Sequence, residues 1–104
     1  MYILYIRNSN TFDQIISGSK SIEIRKQSKY IQGLKPYTFI MFVHEKRVCI
    51  KYVTSIRIYD SLLNLLKMNI LFDINNSLLS IPNSLIYYQQ YYKNIAGNFY
   101  AIYF

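Results

Sequence analysis

Three ionisable side chains of both signs stand close together in the segment GSKSIEIR, residues 18–25. Lys20 offers a point charge for a phosphate, and Arg25 offers a planar guanidinium that can make two parallel contacts with a phosphate or a base edge. Glu23 can accept hydrogen bonds from an exocyclic amine or from ribose hydroxyls, and it is close enough in sequence to hold Lys20 or Arg25 in place. These residue types suit a site that binds a nucleotide or nucleic acid.

Neighbouring side chains extend this candidate site. Ser21 lies on the same alternating polar face as Glu23 and Arg25, although a half-exposed strand without any site shows the same alternation. The loop that follows adds two lysines and Tyr30, whose ring is a surface on which a base can stack. The candidate nucleic-acid-binding residues are therefore Arg7, Lys20, Ser21, Glu23, Arg25, Lys26, Lys29 and Tyr30.

The charge balance of the chain favours an anionic partner. Twelve Lys and Arg residues against five Asp and Glu residues give a formal net charge of +7 over 104 residues. This charge raises the encounter rate with anions, and nucleic acid is the commonest large polyanion in a cell. The alternative is that the charge only keeps a surface rich in Tyr and Ile soluble. The abundance of Ile, Asn, Lys and Tyr is also typical of coding by an AT-rich genome.

The order of the predicted elements indicates an α+β fold. Strands are predicted at residues 2–7, 20–26, 38–43, 47–59 and 99–104, the fourth being one bent strand or two. Three helices are predicted. The first covers residues 11–17, the second is the leucine-rich segment that follows a cap at Asp60 or Ser61, and the third covers residues 83–94. Residues 27–36 are predicted to be a loop and residues 69–80 to be irregular. This order lacks a repeating β-α-β rhythm, so it favours a small mixed sheet that curls into a barrel and hides its edges.

Several classes of site and segment have no support in the sequence. There is no phosphate loop, no Rossmann glycine pattern, no HExxH and no paired-cysteine spacing, so neither a cofactor nor a metal is expected. Cys49 is the only cysteine, and His44, the only histidine, is predicted to lie in a solvated turn. The tyrosines at 87, 88, 91 and 92 are interpreted as a helix face that is part core and part surface, rather than as a base-stacking platform. No linker, signal peptide or membrane span is recognised, so we expect one domain, residues 1–104, inside the cell.

The pattern G-x-K-x-x-E-x-R, formed by Gly18, Lys20, Glu23 and Arg25, resembles the signature of the activating-signal-cointegrator homology (ASCH) domains of the PUA-like superfamily. The context is similar as well: FDQIISG before the motif, IQGL in the loop after it, and NFYAIYF as a closing strand. The resemblance covers nearly the whole chain. It implies a small PUA-like mixed β-barrel of five to six strands flanked by short helices, with a cleft that binds RNA, a nucleotide or a modified nucleobase.

Two other functions remain open. Some small ASCH proteins resemble amidohydrolases that act on acylated cytidine with a lysine, a threonine and a glutamate. Lys20 matches that lysine, but Glu23 stands where the threonine would be, and no glutamate lies between residues 62 and 98. A neighbouring Glu23 also tends to raise the pKa of Lys20, which opposes catalysis by a neutral amine. The other alternative is a protein-interaction module, for example a homodimer that uses the aromatic C-terminal segment as its surface.

Overall fold

The computed structural model describes residues 1–92 and 96–104, which form a mixed α+β structure. The strands are β1 (Tyr2–Tyr5), β2 (Ile22–Lys26), β3 (Thr38–His44), β4 (Arg47–Val53), β5 (Ser55–Ser61) and β6 (Ala96–Tyr103). The helices are α1 (Ser9–Ser17), α2 (Lys29–Gln32), α3 (Leu62–Lys67), α4 (Leu71–Ile74) and α5 (Ile81–Gln89). The predicted α+β class is confirmed. Within these described ranges, no helix is long and apolar enough to cross a membrane.

The strands of the described residues pair into two three-stranded sheets, in the orders β1-β3-β4 and β2-β6-β5. β1 pairs with β3 in parallel, and the other three pairings among the described strands are antiparallel. The closed barrel that the sequence suggested is not formed by these pairings. β1 and β2 are both edge strands, and a side chain connects them in place of a strand ladder: Nη2 of Arg25 donates to the carbonyl of Tyr5 over 3.0 Å.

Two apolar cores lie on opposite faces of the second sheet. The first core packs between the two sheets and includes Leu4, Phe42 and Ile102, while the second packs between β2-β6-β5 and the helices and includes Leu65 and Phe99. β6 supplies both cores because alternate residues of a strand point to opposite faces. The C-terminal aromatic segment is therefore buried in the middle of a sheet. At its end Tyr103 and Phe104 are partly exposed, so the homodimer through this segment stays a prediction.

Local signals explain most element ends. The Oδ1 atom of Asn8 accepts hydrogen bonds at the start of α1, and Gly18 ends this helix with φ +86°, a left-handed conformation that favours glycine. Ser61 caps α3, which confirms one of the two predicted caps. The predicted loop contains the helix α2, and the predicted irregular segment contains the helix α4. Both predictions are wrong at these positions, because a helix of four residues is too short to show a helical period in the sequence. The predicted helix 83–94 begins earlier, at residue 81, and its last two positions lie outside the described residues.

His44 differs from its prediction. It is the last residue of β3 and is 9% exposed, where the sequence suggested a solvated turn. Its Nδ1 atom lies 2.8 Å from the carbonyl oxygen of Ile6, so Nδ1 carries the donated hydrogen. The histidine is thus a buried side chain with a backbone partner, and the turn begins one residue later at Glu45, where φ is +53°.

The packing of β6 gives the first testable expectation. Phe99 is 0% exposed, so Phe99→Ala removes a ring from the second core and is expected to lower the free energy of unfolding by about 3–5 kcal/mol. Phe72→Ala is the matched control, because Phe72 is 54% exposed and a surface change of this kind shifts stability by about 1 kcal/mol or less. Urea unfolding followed by circular dichroism measures both. Equal losses for the two variants would contradict the buried position of β6.

Candidate functional site

A cleft of about 240 Å³ opens where the edges of β1 and β2 face each other, and the first turn of α1 and the end of α5 complete its wall. Four of the candidate residues line it: Arg7, Lys20, Glu23 and Arg25. Four tyrosines line it as well: Tyr87, Tyr88, Tyr91 and Tyr92. The cleft therefore combines charged groups on its β side with aromatic rings on its helical side. β2 places Glu23 and Arg25 here because Ile22 and Ile24, which alternate with them, pack into the second core.

Lys20 lies at the floor of the cleft rather than at its mouth. The residue is 3% exposed, and its Nζ atom donates to the carbonyl oxygens of Ile22 at 2.5 Å and Ile74 at 2.7 Å. The same atom is 3.2 Å from Oε1 of Glu23. An ammonium has three N–H donors, and these three acceptors match them. The charge of Lys20 is thus used inside the protein, where it holds Glu23 in place.

Glu23 and Lys20 shift each other's pKa in a buried environment. Burial lowers the pKa of Lys20 and is the largest effect, although the Glu23 carboxylate opposes it as the sequence suggested. For Glu23, burial by itself raises the pKa, but the charges of Lys20 and Arg25 and their hydrogen bonds outweigh it, so the pKa lies below its ordinary value of 4.5. Glu23 is consequently an ionised carboxylate held between two cations.

Arg25 links Glu23 to the opposite sheet. Its Nε atom donates to Oε2 of Glu23 at 2.8 Å, and its Nη2 atom donates to the carbonyl of Tyr5 at 3.0 Å. The side chain is 27% exposed, so part of it is open to solvent. Nη1 has no hydrogen-bond partner among residues 1–92 and 96–104. Arg25 therefore still has donors to offer a ligand, from a position fixed at two points.

The tyrosines of α5 and the turn after it form an ordered aromatic wall. The rings of Tyr88 and Tyr92 stack with centroids 6.3 Å apart, and Tyr87 and Tyr91 approach to 5.3 Å. Burial, aided by the Glu23 charge, raises the pKa of Tyr88 above its ordinary value and that of Tyr92 to about 12. These phenols therefore stay neutral at physiological pH. Three of the four also pack against the second core, which confirms the predicted core role. Their i, i+4 spacing was the sequence signal for a shared wall.

A second groove continues from the cleft. It shares Tyr5 and Arg25 with the cleft and is also lined by Lys26, Ser28 and Tyr30. The hydroxyl of Tyr30 accepts a hydrogen bond from the N–H of Ile3 at 2.9 Å and donates to the carbonyl of Ile3 at 3.0 Å. This fixes a ring that is 52% exposed. The candidate residues Arg25, Lys26 and Tyr30 therefore lie along one groove.

Two candidate residues line neither the cleft nor the groove. The N–H of Ser21 donates to the carbonyl of Asp73 at 2.8 Å, which fixes the backbone ahead of β2. Lys29 is an exposed residue at the start of α2. Sequence reasoning also missed Tyr5 and Asn8, which flank the candidate Arg7, and Asn75, which the fold brings to the cleft from a remote segment. Proximity to Arg7 was a local signal for the first two, and no local pattern could have revealed Asn75.

The comparisons with known proteins reveal the fold and no activity. No protein-family model and no curated protein matches this chain. It is similar to the crystal structure of the hypothetical protein PH0355, with a TM-score of 0.82 and 21% identity, over 98% of this chain and 94% of the other. It is also similar to the solution structure of protein PF0455 from Pyrococcus furiosus, with a TM-score of 0.73 and 21% identity, over 98% and 93% of the two chains.

The lowered pKa of Glu23 predicts an acid-dependent loss of stability. Because the folded-state pKa lies below 4.5, the unfolded chain takes up this proton at a higher pH than the folded protein does. The stability that Glu23 contributes is therefore present above about pH 4.5 and is lost as the pH falls toward the folded-state pKa. Urea unfolding between pH 7 and pH 3 measures this loss. In Glu23→Gln, which has no proton to take up there, we expect a shallower decline from a lower stability at pH 7.

The control for this experiment is Glu45→Gln, which makes the same change in the exposed turn after β3 and retains Glu23. The decline caused by Glu23 persists in that variant. A Glu23→Gln protein that loses stability with acid as steeply as the parent would show that Glu23 is not held ionised between Lys20 and Arg25.

Proposed function

We propose that this chain is an ASCH-like domain of the PUA-like type that binds single-stranded RNA, or a modified nucleotide, in the cleft between β1, β2 and α5. The observation that carries the proposal is the position of Arg25. Its guanidinium is held by Glu23 and by the Tyr5 carbonyl where a tyrosine-lined cleft meets a groove that contains Lys26 and Tyr30. A base and the phosphates that follow it need these two environments side by side.

The cleft suits a nucleobase. Its volume of about 240 Å³ admits a small planar group and not a duplex. The neutral rings of Tyr88 and Tyr92 offer stacking surfaces, and stacking on an aromatic ring contributes about 1–3 kcal/mol per base. Each carboxylate oxygen of Glu23 has a second lone pair beyond those used by Lys20 and Arg25, so Glu23 can accept hydrogen bonds from an exocyclic amine or a ribose hydroxyl.

The groove suits the sugar-phosphate chain and a second base. Arg7 is exposed at the cleft, and Lys26 lies in the groove on the other side of Arg25. The ring of Tyr30 offers a stacking surface that loses little conformational entropy on binding, because its hydroxyl already accepts one hydrogen bond from Ile3 and donates another to it. The net charge of +7 strengthens attraction of the polyanion over a longer range.

A second candidate function is hydrolysis of an acylated or modified nucleoside, and one observation favours it. Burial lowers the pKa of Lys20, which is the direction that a nucleophilic or basic lysine requires. The surroundings of Nζ argue the other way, because three oxygen acceptors hold the ammonium form. The helical glutamate of the similar amidohydrolases also has no counterpart between residues 62 and 98. Binding is therefore the better supported of the two.

The binding proposal predicts an effect of Arg25. Fluorescence anisotropy with a labelled single-stranded oligoribonucleotide should give an affinity that falls steeply as salt rises, because bound lysines and arginines release counterions. Arg25→Ala should weaken binding by about 1–3 kcal/mol. Arg25→Lys should restore only part of the lost affinity, because an ammonium cannot donate the two parallel hydrogen bonds of a guanidinium.

The matched control is Arg57→Ala, since Arg57 lies on β5 with its guanidinium 5.6 Å from the ring centre of Tyr103, and its side chain lines neither the cleft nor the groove. It should lose less affinity than Arg25→Ala. Circular dichroism confirms that each variant is folded. A folded Arg25→Ala protein with unchanged affinity, or binding that ignores salt, would rule out phosphate recognition in this cleft.

The hydrolase alternative has a direct assay. We expect no appreciable release of acid when the purified protein is incubated with an acylated cytidine nucleoside, because Lys20 is held as an ammonium. Chromatography of the products measures turnover. Robust turnover that disappears in Lys20→Met, while a Lys46→Met control in the exposed turn after β3 remains active, would replace the binding function with the hydrolase.

A further inference from the structure

The outer face of the β1-β3-β4 sheet is apolar at every position. Leu4, Ile40 and Phe42 point into the first core, so their neighbours along each strand point outward. The most exposed of these outward side chains are Ile3, Tyr5, Phe39, Val48, Ile50 and Tyr52. Met41 and Val43 of the central strand fill the middle, because the register places Ile3, Met41 and Ile50 in one row and Tyr5, Val43 and Val48 in the next. These eight side chains are the outer face.

This outer face is unusual in a chain with a net charge of +7, because it contains no Asp, Glu, Lys, Arg or His. Phe39 and Tyr52 make an edge-to-face contact with centroids 5.1 Å apart, so these two side chains pack against each other on the face. It gives no charge complementarity to RNA or to an acidic protein. Its apolar side chains are complementary to another apolar sheet face.

The area matches what a dimer needs. With exposed fractions between 37% and 68% for six of its members, the outer face presents roughly 600 Å² of apolar surface, counting about 150–250 Å² for a whole aromatic side chain. A single patch of this size is at the upper end for a monomer. Two such faces would bury roughly 1,200 Å², which reaches the lower end of specific protein interfaces.

We propose that the outer face is the interface of a homodimer, in which a second copy of this chain packs its own outer face against it. A twofold arrangement brings the same surface from both copies together, so it requires a surface that is compatible with itself, as an uncharged apolar face is. The two sheets stack face to face, as in a β-sandwich. Tyr5 belongs to both the outer face and the cleft, so each partner borders the candidate binding site of the other copy.

Sedimentation equilibrium of the full chain over a range of concentrations tests this dimer. The wild-type protein should change from one to two chain masses as concentration rises through the micromolar range. Ile50→Lys should raise the dimer dissociation constant more than about tenfold, because each copy then buries one lysine in the interface and the two positive charges repel each other. Ile58→Lys is the matched control: Ile58 is 56% exposed against 50% for Ile50, and it lies on the other sheet. It should dimerise like the wild type.

Salt gives a second, independent readout. Because the outer face is uncharged and each copy carries +7, screening of the repulsion should leave dimerisation unchanged or strengthen it.

Val48→Lys, at a site 53% exposed, repeats the test if Ile50→Lys fails to fold by circular dichroism. A wild-type chain that stays monomeric at every concentration, a folded Ile50→Lys or Val48→Lys protein that dimerises normally, or a dimer that dissociates as salt rises would overturn the proposal. A monomer would mean that a different partner covers the outer face.

Discussion

A glutamate that is removed from water between two cations is the constraint on which the rest of this structure depends. Glu23 can be ionised in the interior only because Lys20 and Arg25 both contact it. Arg25 also reaches the edge of β1, where its Nη2 atom donates to the Tyr5 carbonyl. The position of one sheet relative to the other is thus tied to the charge balance of the site, and the arrangement that fixes the fold here is also the one that shapes the cleft.

The facing edges of β1 and β2 show how a sheet edge can be satisfied without another strand. Tyr30 bonds both backbone groups of Ile3, Lys20 reaches the carbonyl of Ile22, and the hydroxyl of Tyr92 lies 3.4 Å from the carbonyl of Ile24. Unpaired strand edges invite association with other chains, and side chains that occupy them prevent it. Because side chains reach farther than a strand ladder, the edges stay apart and the cleft lies between them. The absence of a ladder between β1 and β2 and the presence of the cleft have the same cause.

Much of this could be predicted from local sequence, and the rest could not, for reasons of distance. The alternation in residues 20–26 correctly separates the Ile22 face from the Glu23 face, because period-2 burial is a local property of a strand. The four-residue helices, the burial of His44 and the division into two sheets depend on contacts between remote segments. The direction of the Lys20 pKa shift could not be predicted from local sequence either. The sequence shows that Glu23 is near and should raise this pKa, but only the fold shows that burial lowers it by more.

The choice between binding and catalysis turns on the hydrogens of Lys20. A neutral amine has two N–H donors and one lone pair, whereas three oxygens surround Nζ. If Lys20 lost a proton, the lone pair of its nitrogen would face a lone pair of one of these oxygens, which is repulsive. Of its two cationic partners, Lys20 and Arg25, Glu23 would keep only Arg25. Burial lowers the pKa of Lys20, but the acceptors around it favour the ion, so a ligand would have to displace one of them before the amine could react. As the site stands, Lys20 is a fixed cation that orients Glu23, and Glu23 in turn holds Arg25 where a ligand can reach it.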